Sequence, residues 1–369
     1  MGWCTTSDLD QFAAAAEGYL RSRAAENTML LSTALAVRSG RPSQVVGQRS
    51  APGATVGVGG ASGLLYGWWE PPDGSGARGA FIHDPAVPLL IAGRAPEMAA
   101  VLAGTLSKLG RHVSGVDAPV DAADAFAAAW SQREHSSVRV HRQCRVYRLT
   151  AAVAGGRSPG PAVAPAPAGR LRVMTPADRG LLIDWLIAFG IEAGERISSP
   201  TDVADDLLGY GGAVLWEAPQ RTFRIREAAH YLVSPQHRDA AQQAEPAYQP
   251  AALATVARPV AGAVRINLVY TPPERRRNGH AAAVTLMTSR AILAGTVPGA
   301  GPGAEANSEV VLIADGNRPD RQVTRLGFQL VGERAVLRFG PSTGPLPKLP
   351  SNTRPMPRLP TGPLPRLRR

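Results

Sequence analysis

The sequence predicts an α/β (α+β) protein made of two similar halves, each a mixed, mostly antiparallel sheet flanked by helices, followed by a disordered tail. Three observations carry this reading. The first is a strand, a tight basic turn and a helix in direct succession over residues 264–286. The second is a repeated order: two helices, a run of strands, a helix, a strand, a helix and a strand occur before residue 150 and again after residue 170. The third is the Pro/Ala/Gly stretch 154–169 between the two passes, whose composition is that of an extended linker. The division that follows is 1–153 for the first domain, 154–169 for the linker, 170–340 for the second domain and 341–369 for the tail.

The first half opens with Ser7-x-x-Asp10, a capping-box-like start. Leu9, Phe12, Ala13, Ala16 and Leu20 then recur at helical spacing. Asn27 reads as the cap of a second helix through Met29, Leu30, Leu31, Leu35 and Val37, ended by Gly40. Residues 41–61 are rich in Gly, Ser and Pro and read as a loop. Leu64 to Glu70 and Ala80 to His83 are strands joined by Pro71-Pro72-Asp73-Gly74-Ser75-Gly76, a hairpin signal. Leu89-Leu90-Ile91 is a further strand. Helices follow over 97–109 and 121–130, with a long last strand over 138–149.

The second half begins with the strand Leu171-Arg172-Val173, then helices over 176–193 and near 203–208. The strand Val214-Leu215-Trp216-Glu217 precedes an insertion of about 218–250, read as a surface excursion or, functionally, as a lid or acceptor-contacting arm. Strands over 253–256 and 264–270 lead to the basic turn, and 331–339 closes the sheet. Val264 to Tyr270 is rich in β-branched and aromatic residues and is stopped by Pro272-Pro273. Arg275, Arg276 and Arg277 then crowd against a helix opened by Gly279. Free N–H groups and the positive end of a helix dipole make such a place an anion site.

Bulk properties narrow the function. A chain of 369 residues with 44% hydrophobic content supports real cores and excludes a mainly disordered protein. No apolar run reaches the length of a membrane span and the N-terminus lacks a basic-then-apolar signal pattern, so a cytoplasmic protein is expected. The opening Met1-Gly2-Trp3-Cys4-Thr5-Thr6 fits the loose myristoylation pattern but runs into ordinary helix sequence and is set aside. Cys4 and Cys144 lack metal-ligand spacing, so a reducing compartment and no metal are expected. The net charge is +11, of which Lys348, Arg354, Arg358, Arg366, Arg368 and Arg369 of the Pro-rich tail supply six. The tail suits acidic partners at low salt. It has no aromatic residue to stack on bases, so no specific nucleic-acid partner is expected.

Arg276-Arg277-Asn278-Gly279-His280-Ala281 resembles the Arg/Gln-x-x-Gly-x-Gly/Ala loop of the GNAT N-acetyltransferases. The segment Val310 to Asp315, Gly316-Asn317-Arg318-Pro319 and Arg325-Leu326-Gly327-Phe328 resembles the same family's fifth strand, Asn-containing turn and Gly-Tyr/Phe helix end. The resemblance covers most of residues 7–340 and is to tandem proteins of that family. It implies that Arg276, Arg277, Asn278, Gly279, His280 and Ala281 cradle the diphosphate of acetyl-CoA. It implies further that Leu268, Val269 and Tyr270 offer backbone to the pantetheine arm and acetyl carbonyl, and that Asn317 lies near the cofactor. The family's general-acid tyrosine, four residues before Gly327, is Val323 here. Tyr270 is the tentative catalytic side chain, with His280, Glu217 and Asp315 as further acid–base candidates and none of them named as the base. In the first half the corresponding loop is Arg94 to Ala99, where Glu97 stands in the place of the glycine and opposes a diphosphate by its side chain and its charge, so that half is expected not to bind acetyl-CoA. The implied activity is acetyl-CoA-dependent N-acyl transfer to a primary amine of a small molecule or peptide. The alternative is an acetyl-CoA-binding regulatory or scaffold protein with little turnover.

Overall fold

The computed structural model describes residues 2–40, 63–71, 73–151, 166–194, 197, 199–220, 247–296, 309–316 and 321–341. The loop at 41–61, most of the linker and of the insertion, Asn317 and the tail from residue 342 lie outside these. The first pass of elements is β1 (Gly2–Thr6), α1 (Leu9–Ser22), α2 (Ala24–Arg38), β2 (Leu65–Glu70), β3 (Gly79–His83), β4 (Leu89–Ala92), α3 (Pro96–Lys108), β5 (Gly115–Pro119), α4 (Val120–Glu134) and β6 (Ser137–Thr150). The second is β7 (Arg170–Val173), α5 (Arg179–Ala193), α6 (Pro200–Tyr210), β8 (Ala213–Pro219), β9 (Tyr248–Val256), β10 (Ala263–Tyr270), α7 (His280–Leu293), β11 (Glu309–Asp315), α8 (Arg321–Arg325) and β12 (Gln329–Gly340). The order β-α-α-β-β-β-α-β-α-β thus occurs twice.

The twelve strands form one sheet in the order β1-β2-β3-β4-β5-β12-β6-β11-β10-β9-β8-β7. Only the pairs β4–β5 and β10–β11 are parallel. Swapping each strand with its counterpart six places on leaves the order unchanged, so the sheet has an internal pseudo-twofold. The two halves reach it by exchanging their last strands. β12 lies between β5 and β6, and β6 lies against β11. The expectation that 331–339 closes the second sheet is therefore corrected, because this strand runs through the middle of the molecule. Exchange pairs the outer edge of each half's fifth strand, which would otherwise present unpaired N–H and C=O groups.

Strand alternation decides what each face buries. On one face of the first half, Phe81, Leu89, Ile91, Val116 and Leu337 pack under Met98, Leu102, Phe126 and Trp130 of α3 and α4. On the matching face of the second half, Val264, Ile266 and Val310 pack under α7 through Ala283, Val284 and Ile292. The opposite face holds α1 and α2, whose Phe12, Ala16, Leu20, Leu30 and Leu31 cover Tyr66, Ile82 and Leu90 and also Val146, Ala263 and Val311. One apolar layer thus spans both halves. Gly67 is required by this packing, since a Cβ there would lie 2.4 Å from the Phe81 ring and 2.6 Å from the Cys4 carbonyl.

Local starts differ from the sequence reading in two places. Residues 2–6 form an edge strand on β2, and the cap of α1 is Asp8, whose carboxylate accepts from the N–H of Asp10 and Gln11. Thr6 Oγ1 accepts from the Asp8 N–H and fixes that register one residue beyond Ser7. Asn27 is not a cap. It is buried inside α2, where its amide donates to the Leu20 carbonyl at 3.2 Å and ties the two helices at their corner.

Candidate cofactor site

The site begins with a bulge. β10 pairs with β9 through Ile266↔Val256 and Leu268↔Thr255, leaving Asn267 as the extra residue. A bulge bends its strand and shifts the alternation of side chains. Val264 and Ile266 accordingly lie under α7, whereas Leu268 and Tyr270 pack with α5 and α6. On its other edge β10 pairs with β11 from Ala263↔Glu309 to Ile266↔Leu312, and there the pairing ends. β11 continues to Asp315 on β6, so the two parallel strands part beyond the bulge. From Asn267 to Tyr270 that edge of β10 has no strand partner among the described residues.

The open edge leads into the basic turn. A short 3-10 turn over Pro273–Arg275 follows Pro272, Arg277 takes a left-handed φ of 64°, and Gly279 caps α7 with φ 78°. A Cβ on Gly279 would meet only the Pro167 ring, at 3.6 Å, so the backbone angle rather than crowding calls for glycine. Among the described residues no side chain caps α7. Its first amides therefore lack intrahelical partners and stand at the positive end of the dipole. Asn278 steadies the turn by donating to the carbonyls of Arg275 and Arg276, each at 3.2 Å. His280 is buried in the first turn with Nδ1 unpartnered, while Ala281 is exposed. Burial, and then the charge of Arg275, hold the His280 imidazole below its ordinary pKa.

The three arginines are not equivalent. Arg276 donates through Nε to the Thr271 carbonyl at 2.9 Å and its Nη2 is ion-paired with Glu192 at the end of α5. Arg275 and Arg277 have no ion-pair partner among the described residues. The Tyr270 hydroxyl also donates to Glu192, at 3.3 Å, and its ring meets Trp185 edge-on at 5.8 Å. Burial, reinforced by the Glu192 charge, pushes the Tyr270 pKa up, so this phenol keeps its proton at neutral pH. Glu192 and the bulge at Asn267 were not singled out in the sequence. An asparagine inside a β-branched run was the available signal for the bulge.

The remaining candidates separate clearly. Val323 lies on α8 and packs with Leu326 and Phe328 in the second-half core. Glu217 is buried in an ion-pair network, accepting from Arg170 and Arg172 at 2.9 Å each, and Arg172 also holds Asp178 at 2.8 Å. Burial pushes the Glu217 carboxyl up, and the two arginines outweigh it and hold it below its usual range. Asp315 stands at the exposed end of β11, opposite Cys144 of β6.

The first half repeats this geometry with different contents. β4 and β5 pair only at Leu89↔Val116 and Leu90↔Asp117 before parting. Into that notch β12 sends Arg334, whose guanidinium is ion-paired with Asp117 at 2.7 Å and donates to the carbonyls of Asp117 and Ile91 at 2.8 and 3.4 Å. Both side chains are more than nine-tenths buried. The expectation that Glu97 takes the glycine's place is corrected, because the residue capping α3 in the place of Gly279 is Ala95, followed by Pro96, and Glu97 falls two residues further on in the first turn. Proline removes one of the amides an anion would use.

Comparison with solved structures places this architecture. A GCN5-related N-acetyltransferase from Sphaerobacter thermophilus superposes with a TM-score of 0.50 at 14% identity, over 91% of this chain and 95% of that one. A tandem GNAT protein from the clavulanic acid biosynthesis pathway matches over 93% of this chain and 99% of its own at 14% identity, with a TM-score of 0.41. A GCN5-related N-acetyltransferase from Kribbella flavida matches over 71% and 86%, at 16% identity and a TM-score of 0.41. No protein-family model and no curated protein sequence matches the chain. The first superposition identifies the fold. The chain has the fold of the GCN5-related N-acetyltransferases, written twice. Among the described residues no helix is long and apolar enough to cross a membrane, and no cluster of His, Cys, Asp and Glu has the makings of a metal site.

Proposed function

We propose that the protein is an acetyl-CoA-dependent N-acyltransferase that uses the notch of its second half to acetylate a primary amine of a small molecule or peptide. The observation that supports this best is the parting of β10 from β11 directly before an uncapped helix opened by glycine. The residues fit a diphosphate thioester. The amides at Gly279, His280 and Ala281, with Arg275 and Arg277, meet the diphosphate, and Arg276 joins them by giving up Glu192. Asn278 holds the turn that presents these amides. The unpaired edge at Leu268, Val269 and Tyr270 takes the pantetheine arm.

Acetyl-CoA supplies the thioester: the amine nitrogen forms the C–N bond as the C–S bond breaks, the ammonium proton passes to solvent and the sulfur takes a proton up. The chain contributes position and polarisation. A backbone N–H at the bulge, fixed before substrate arrives, stabilises negative charge growing on the carbonyl oxygen. α8 offers no proton donor at Val323, so solvent protonates the leaving sulfur. Tyr270 keeps its proton and its bond to Glu192, a role in shaping the site rather than in proton transfer. The test is a calorimetric titration of acetyl-CoA into the full chain, followed by an amine screen read by free-thiol release. One site per chain and thiol release with at least one amine are expected. Absence of binding overturns the proposal.

A further inference from the structure

The notch of the first half opens into a cleft of about 460 Å³ bounded by the α1–α2 corner, the turn between β4 and α3, the start of α4 and β12. That volume lies in the range of small-molecule sites. A CoA thioester does not suit it. Arg334 fills the gap between the strands, and Ala95-Pro96 replaces the glycine that would admit a diphosphate.

The charges on the wall cancel in pairs, with two left over. Arg94 bridges Glu26 at 2.9 Å and the Val331 carbonyl at 2.7 Å. Glu333 accepts from Arg145 at 3.0 Å, and Arg334 is neutralised by Asp117. Arg23, at the α1–α2 corner, and Asp121, in the first turn of α4, also line the cleft. Neither has an ion pair or a side-chain hydrogen bond among the described residues. One free cation and one free anion on the wall of a single cleft are the complement of a zwitterion. A guanidinium presents a planar fork that matches a carboxylate, and a carboxylate accepts from an ammonium.

We propose that this cleft binds a small amino acid, with its carboxylate on Arg23 and its ammonium on Asp121, as a second site independent of the acetyl-transfer reading. The experiment is calorimetry on the full chain with glycine, β-alanine, 4-aminobutyrate and 6-aminohexanoate in turn, and with acetate and ethylammonium as one-ended probes. At least one amino acid should saturate at one site per chain, and the one-ended probes should not. Arg23→Gln and Asp121→Asn should each weaken that binding at least tenfold, Arg23→Lys should recover part of it, and Gly279→Glu should leave it within twofold. Both side chains are exposed, so the variants keep the core, and an unchanged melting midpoint verifies this. The proposal is overturned if no amino acid saturates, or if acetate or ethylammonium binds equally well. It is also overturned if both single variants stay within threefold of the parent, or if Gly279→Glu abolishes the binding.

Discussion

Placing a carboxylate at the cap of α7 separates the stability of that helix from its capacity to hold an anion. In Gly279→Glu the left-handed φ of 78° costs about 1–2 kcal/mol for a residue with a Cβ. A negative charge at a helix N-terminus returns about 0.3–1 kcal/mol. The net cost is about 1 kcal/mol, which moves the melting midpoint by roughly 2–4 °C in a large domain. Binding responds on a different scale. A carboxylate on the order of 5 Å from a phosphate, at an effective dielectric constant of about 20, opposes it by about 3 kcal/mol. That corresponds to roughly a two-hundredfold loss of affinity for acetyl-CoA. Gly279→Ala is the control, since it carries the backbone cost without the charge and should weaken binding only a few fold. Calorimetry on the three proteins decides the matter. If the Glu and Ala variants bind acetyl-CoA within threefold of each other, no diphosphate sits at this helix and the reasoning fails.

Three further outcomes follow from the same geometry. Asp117→Ala leaves the Arg334 guanidinium buried without its counter-charge, and the urea midpoint should fall by the equivalent of about 3–5 kcal/mol; Asp117→Leu combined with Arg334→Met should recover most of that loss. Glu192→Gln frees Arg276 and removes a negative charge beside the loop, so acetyl-CoA should bind about threefold to tenfold tighter, in line with the roughly 1 kcal/mol upper range of exposed ion pairs. Burial holds both His83 and His280 below the ordinary imidazole value of 6.5. The unfolded chain therefore takes up protons first as pH falls, so this contribution is present above the ordinary imidazole range and is lost progressively as the pH falls below it. Urea midpoints across that window should show the decline, and it should be shallower in His83→Gln.

How much of this the sequence discloses depends on the range of the interaction involved. Helical spacing located α1, because it buries one stripe through Phe12, Ala16 and Leu20 and solvates the other. The loop at Arg276–Ala281 was legible because glycine, arginine and the break at Pro272-Pro273 act within ten residues. What escaped is settled at long range. β5 is five residues with an aspartate in the middle, and Asp117 makes sense only beside Arg334, 217 positions away. The strand exchange leaves no local trace, since β6 and β12 would show the same alternation in either place. Ser7 and Asp8 are both good caps, and the choice between them is made by the Thr6 hydroxyl. Arg276 and Arg277 read as equal anion ligands until Glu192, on a separate helix, takes Arg276 aside.

The exchange also bears on why, among the described residues, one notch is open and the other filled. The pseudo-twofold pairs Arg334, opposite Pro119 at the end of β5, with Cys144, opposite Asp315 at the end of β11. At one place the strand crossing the mouth of the notch carries a long cation. At the other it carries a small thiol that burial pushes up to about 11, so it stays uncharged. Parted parallel strands always leave backbone groups without a ladder partner, and buried carbonyls need a donor. On the proposed reading those groups in the second half are kept for a ligand, and no long side chain can lie across them without competing for it. In the first half, on the same reading, Pro96 and Glu97 oppose an anion, so no ligand of that kind comes to satisfy Ile91 and Asp117. Arg334 does so permanently. Loss of the loop and filling of the notch are on this view one change, and its by-product is the cleft beside Arg334, sealed from the strands and still open to something smaller.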